Sequence, residues 1–259
     1  MGHMNHFSAG WVTPVLSYVM ACVGSALGLR CTVRALEADG ASKRNWLVLA
    51  SVAIGSGIWT MHFVAMMGFS VEGTPIRFDV PLTVLSLLMS IGVVAAGVFT
   101  AGYGRSRVTS VVFGGLGTGV GVAAMHYTGM AALNLHGEVN YNPGLVIASV
   151  AIAVFAATAA LTLTLVVRGS VLAALAALVM GLAVSSMHYT AMYAVSIDLA
   201  PSSATLHGAT ATEFIFPLAV VLGSFLFLAS AYVALSPTGK RHENSAAAEL
   251  LREVELTTA

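Results

Sequence analysis

The chain has 259 residues, 58% of them apolar and only 8% charged, with 11 basic and 11 acidic residues giving no net charge. A soluble fold of that length cannot wet its surface with so little charge, so the composition asks for the bilayer as solvent. With no basic run there is nothing to attract nucleic acid, and that class of partner is excluded.

Residues 1–10 carry no basic cluster ahead of the first apolar stretch, so that stretch reads as a span and not a cleavable signal. Seven stretches are long enough, at about 20 residues, to cross a bilayer as helices. They lie near 11–33, 46–67, 80–101, 108–135, 144–167, 171–195 and 214–235. The expected fold is an all-α membrane protein: an outer segment at 1–10, a seven-helix domain at 11–235 and a cytoplasmic tail at 236–259. That tail is too short for an output domain, although 246–256 could form a short helix with Leu250, Leu251 and Val254 on one side.

Basic residues set the expected orientation. Arg30, at the end of span 1, is followed by Arg34, Lys43 and Arg44, Arg105 and Arg107 lie between spans 3 and 4, and Arg168 lies between spans 5 and 6. The tail adds Lys240, Arg241 and Arg252, whereas the alternate connectors hold only Arg77. The positive-inside rule then places the N-terminus outside and the C-terminus in the cytoplasm.

One phrase occurs three times, in spans 2, 4 and 6: Met61-His62-Phe63-Val64-Ala65-Met66, Met125-His126-Tyr127-Thr128-Gly129-Met130 and Met187-His188-Tyr189-Thr190-Ala191-Met192. The histidines are 64 and 62 residues apart, a structural period. The connectors that follow also share a pattern, with Gly73, Gly137 and Gly208 ahead of Phe78-Asp79-Val80-Pro81-Leu82, Tyr141-Asn142-Pro143-Gly144-Leu145 and Phe214-Ile215-Phe216-Pro217-Leu218. Three two-helix repeats (spans 2–3, 4–5 and 6–7) plus one extra helix account for an odd span count.

Imidazole inside hydrocarbon is costly without a partner. On a helix, residues four apart share a face, so His62 sits with Met66, His126 with Met130 and His188 with Met192. Met61, Met125 and Met187 are about 100° round from their histidines and are less certain ligands. The histidines lie 16, 18 and 17 residues into their spans, at one common depth. Three imidazoles at one level could form a trigonal metal site. Nitrogen and thioether donors favour copper over the oxygen-seeking ions, with zinc as the competitor. Gly55, Gly119 and Gly181, each seven residues before a histidine, are expected to let the histidine helices pack closely. The competing reading is a hydrogen-bonded packing motif with methionine as core filler.

The three phrases resemble the MHYT domain, a bacterial integral-membrane sensor family named for this motif, and the resemblance extends over spans 1 to 7. It implies copper bound through the motif's Met, His and Tyr, and sensing of oxygen, carbon monoxide or nitric oxide. It adds Tyr127 and Tyr189 to the candidate ligands. Copy one departs, with Phe63 and Val64 in place of Tyr and Thr, so a phenol cannot be required on every helix. Relatives of this kind often carry cytoplasmic cyclic di-GMP or kinase domains. The chain here reads as a stand-alone member that needs a separate cytoplasmic signalling partner, and a homo-oligomer is compatible.

His3, His6, His136 and His207 fall on the outer side and could pass metal inward, although solvated loop histidines are commoner. Asp79, Asp198 and Glu213 stand at outer helix ends, where one could accept the second N–H of a ligand imidazole. Cys22 and Cys31 form neither a metal pair nor a disulfide framework. No Asp, Glu or Lys stands in mid-span, so an ion-coupled pump lacks its relay. The only lysines, Lys43 and Lys240, lie in loops, which excludes a retinal Schiff base. No nucleophile–base pair is legible, so the chain is not expected to be an enzyme. A membrane copper carrier or metallochaperone is the alternative function, and a haem protein with histidine axial ligands is a second one.

Overall fold

The computed structural model describes residues 4–5, 8, 10–166, 170–200 and 205–236. Seven helices are long and apolar enough to cross a membrane. They are α1 (Val12–Leu36), α2 (Gly40–Met66), α3 (Val80–Tyr103), α4 (Arg107–Ala131), α5 (Pro143–Val166), α6 (Ser170–Tyr193) and α7 (Phe216–Leu235). All seven expected spans are found. Helix α2 starts at Gly40, earlier than expected, so Lys43 sits in its first turn instead of a loop. The segment expected to form a helix at 246–256 lies outside the described residues.

The helix starts explain the connector pattern. Asp79 caps α3, its carboxylate accepting the Leu82 N–H at 2.8 Å with Pro81 in the first turn. Asn142 does the same for α5, accepting the N–H groups of Gly144 and Leu145 at 3.0 and 3.2 Å. A proline there costs nothing, because the first-turn N–H groups have no helical partner. The third copy uses another device. Thr210 and Glu213 form a reciprocal capping box ahead of a π-helical turn, Ala211–Ile215, that leads into α7.

Helices α1 to α6 close a ring in chain order, with α6 packed back on α1, while α7 lies against α1 and α2. The histidine-bearing helices α2, α4 and α6 alternate with α3, α5 and α1. The bracing place between α6 and α2 therefore belongs to α1, although the sequence repeat assigns it to the seventh span. In space the extra helix is α7. Its peripheral place shows in burial: 17% of its span window is buried inside the protein, against 83% for α2, which α1, α3 and α7 enclose.

The spaced glycines confirm this pairing and correct the expected packing. A Cβ on Gly55 would lie 2.6 Å from the Ile91 Cα of α3, and one on Gly119 would collide with the Val154 backbone of α5. On Gly181 it would lie 2.5 Å from the Cys22 Sγ of α1. Each glycine thus seats its histidine helix on a bracing helix and not on another histidine helix. Ser90 strengthens the first seat by donating to the Gly55 carbonyl at 2.7 Å. Cys22 is a small packing residue, and both cysteines are free thiols.

Short antiparallel ribbons close the end of the ring that carries the histidines, a feature absent from the sequence expectations. Strand β1 (Met4–Asn5) pairs with β2 (Ser70–Val71), β3 (Arg77–Phe78) with β4 (Leu133–Asn134), and β5 (Gly137–Tyr141) with β6 (Val195–Leu199). Phe78 and Ala209 exchange backbone hydrogen bonds of 2.8 and 3.0 Å, which joins the third connector to the first. The three connectors form a closed cycle. Gly208 makes that closure possible: its φ of 102° suits only glycine, and a Cβ would strike the Phe78 carbonyl. At the opposite end Arg34 donates to the carbonyls of Val233 and Ser236 at 2.7 and 2.9 Å, pinning the α7 terminus to α1.

Candidate metal centre

His62, His126 and His188 sit in the last turns of α2, α4 and α6, directly beneath the cycle of connectors. Each is 1% exposed. Their rings meet edge to face with centroids 4.7 to 5.2 Å apart. All three turn the same atom inward: Nδ1 to Nδ1 distances are 3.0 Å for His62 and His188, 3.1 Å for His126 and His62, and 3.4 Å for His188 and His126. The common depth read from the spans is therefore a common point.

This triangle cannot be satisfied by hydrogen bonds alone. An imidazole nitrogen presents either an N–H or a lone pair in the ring plane, never both. Three atoms with two states always leave one like pair facing each other at contact distance. A cation on the axis removes the conflict, because all three can then present lone pairs. An ion bound at about 2.0–2.1 Å by three nitrogens sets those nitrogens about 3.5 Å apart, close to the triangle here. The three histidines are the one group among the described residues that could hold a metal ion with histidine, cysteine or carboxylate ligands.

The other side of each ring completes the fit test. With Nδ1 as the donor atom, Nε2 carries the hydrogen, and in His62 and His126 that atom is buried without a hydrogen-bond partner. The expected carboxylate acceptors are engaged elsewhere: Asp79 and Glu213 cap helices, and Asp198 accepts from Asn140 at 3.2 Å. None serves His62 or His126. Instead the His62 Nε2 lies against Gly129, where a Cβ would be 2.6 Å away. Copies one and three have Ala65 and Ala191 at that position, so the glycine makes room for one particular ring.

All six motif methionines are buried, none more than 2% exposed. They do not share one surface, however. Met66 lines a pocket of about 270 Å³ at the histidine end together with Met67 and Phe69, whereas Met187 lines a cavity on the opposite side of the triad. Tyr127 shares a 2.8 Å hydrogen bond with Ser149 of α5, so its hydroxyl is used for helix packing. Tyr189 packs edge-on to His188, with ring centroids 5.0 Å apart. Phe63 explains the departure in copy one: it is fully buried in α2 and packs on Trp59, His62 and Phe78. A phenol there would bury a hydroxyl among rings.

The loop histidines join no cluster among the described residues. His207 is exposed, and His136 is held in the second connector, where its backbone N–H donates to the Thr74 hydroxyl at 2.9 Å. His3 and His6 lie outside the described residues.

A ring of six membrane helices with three imidazoles meeting on its axis defines a multi-pass membrane protein whose histidine centre could hold a metal ion. Residues 55–114 and 119–177 each match the MHYT family, described as "Bacterial signalling protein N terminal repeat". The chain thus carries two repeats of this family within a multi-pass protein of the bacterial inner membrane. It is 39% identical over 150 residues to the bifunctional diguanylate cyclase/cyclic di-GMP phosphodiesterase MucR of Pseudomonas aeruginosa, covering 58% of this chain and 22% of that one. The cyclic di-GMP phosphodiesterase NbdA of the same organism is 34% identical over 154 residues, covering 60% of this chain and 19% of its own length. The signaling protein YkoW of Bacillus subtilis is 32% identical over 145 residues, covering 54% and 17%. The matches thus span about a fifth of each relative. No solved structure matches the chain.

Proposed function

We propose that the chain is a membrane sensor that holds copper on His62, His126 and His188 near the outer face and responds to a diatomic gas: oxygen, carbon monoxide or nitric oxide. The convergence of three Nδ1 atoms at 3.0 to 3.4 Å carries this reading. Three imidazoles suit copper or zinc, and the surrounding thioethers tilt the preference to copper. An ion held by three protein nitrogens keeps a position open for a small ligand. Around it the chain's own residues exclude water: the connector cycle covers the triad, and Phe63, Met125 and Met187 are buried beside it.

Burial favours a retained ion over a transferred one, which counts against the carrier reading. Nitrogens this close together leave no slot for a porphyrin, which counts against haem. The basic residues support N-out, C-in: Arg34, Lys43, Arg105 and Arg107 lie at the end opposite the triad, and Arg77 lies at the triad end. Signal would pass by helix movement to a separate cytoplasmic partner, since a ligand shifts only an equilibrium between states it binds unequally. The names of the relatives point to cyclic di-GMP turnover as the output.

Metal analysis of purified protein tests the reading. One copper per chain is expected in the wild type and almost none in His126→Ala, because two imidazoles cannot complete the set. A loss near one third in that variant would instead mean separate helix-local sites. Unchanged metal content would return the motif to packing.

A further inference from the structure

Beneath the triad, on the axis of the ring, lies a cavity of about 60 Å³ walled by all six ring helices. Three of its wall residues are Ile58, Val122 and Val184, each four positions before a triad histidine. The next turn down repeats the register with Ile54, Thr118 and Met180. Residues four apart share a helix face about 6 Å apart along the axis. The cavity is therefore coaxial with the triad and starts one turn below it, and Met187 borders both.

The wall decides what can occupy this space. A buried water needs two to four polar partners. Three hydroxyl-bearing residues reach the wall: Ser25, Thr118 and Thr164. Thr164 already donates to the Leu161 carbonyl at 2.7 Å, and Thr118 donates to that of Val93 at 3.4 Å. Those oxygens can still accept, but they stand on three different helices and the rest of the wall is aliphatic or thioether, so apolar surface predominates and favours an apolar occupant. The volume is several times the roughly 10–15 Å³ that one water requires, yet well below that of the apolar cavity of about 150 Å³ that accepts benzene, which leaves room for one molecule of intermediate size. Only α5 offers a run of small side chains here, Ala153, Ala156, Ala157 and Ala160, and these make the room.

We infer that this chamber is a binding site for one small apolar gas molecule, of the size of a diatomic or of xenon, held one turn below the histidines. Such molecules dissolve readily in the bilayer core that surrounds the ring. Gas binding by the chamber needs no metal. Its service to an ion in the triad rests on the sensor reading above.

Xenon is the probe. Metal-free protein is exposed to xenon, and binding is read by diffraction from xenon-pressurised crystals and by the shift of dissolved xenon in magnetic resonance. One saturable site is expected beside Ile58, Val122 and Val184. Ala156→Leu adds three carbons and should abolish it; Ala156→Val should weaken it several-fold and is the milder variant should the first fail to fold. His126→Ala should retain xenon while losing metal, which separates failure of this proposal from failure of the metal reading. Absence of xenon in the wild type, a lipid chain or ordered water in the chamber, or xenon binding indifferent to Ala156→Val would each overturn the inference.

Discussion

Gly129 and Phe63 show how single residues tune the triad without supplying a donor. Adding a methyl in Gly129→Ala places carbon 2.6 Å from the His62 Nε2 and 3.1 Å from its Cδ2, so the ring must turn. Metal affinity should fall by at least tenfold although all three imidazoles remain; equal affinity by competitive chelation would show that the ring is free to move. Phe63→Tyr restores the motif's phenol but buries a hydroxyl beside Trp59 and Phe78. It should destabilise by about 1–3 kcal/mol, read as a lower thermal midpoint in detergent. Exchanging Met66, Met130 and Met192 together for Leu conserves volume and apolarity, at under about 1.5 kcal/mol per site. Copper affinity relative to zinc should drop; an unchanged ratio would leave the histidines alone as ligands. The histidines were legible because three copies at equal depth outweigh the ordinary explanation of any one. Which ring nitrogen faces the axis was not, since both lie on one side chain and only the rotamer separates them.

Between helices, the glycines seven residues before each histidine carry the architecture. Gly119 and Gly117 stand two positions apart on α4 and make opposite tests. Gly119→Val would force side-chain carbons into the Val154 and Ala153 backbone and should separate α4 from α5, costing about 1–3 kcal/mol or more. A Cβ on Gly117 meets nothing within 4 Å, so Gly117→Ala should leave the protein unchanged or stabilise it by up to about 1 kcal/mol. Thermal unfolding in one detergent compares the two, and equal effects would remove Gly119 from the helix seat. Sequence spacing located these glycines but assigned them the wrong neighbours, because a seven-residue step defines a face and not what packs on it. The ribbons in the connectors went unread for a related reason: two-residue strands such as Ser70–Val71 are too short for an alternating pattern, and only the partner strand defines them.

At the scale of the whole molecule, the seven spans were legible because about 20 apolar residues in a row have few other uses. The ring was less so. The repeat pairs each histidine helix with the span that follows, yet α1 takes the third bracing place and α7 is displaced to the outside, where the bonds from Arg34 hold its end. A helix hydrophobic all round gives no sign of which neighbour it will choose. Orientation in the membrane stands apart from all this packing, because the ring is equally stable either way up and only the charges at its ends distinguish the two leaflets. Ten of the eleven basic residues belong to one side, and Arg77 to the other. A reporter enzyme active only outside the cytoplasm, fused after Leu235, should therefore be inactive, and the same reporter inserted in the second connector beside Gly137 should be active. Activity after Leu235 would turn the molecule over. The triad would then lie a turn or two from the cytoplasmic surface, within reach of the cell's own copper and far from any signal arriving from outside.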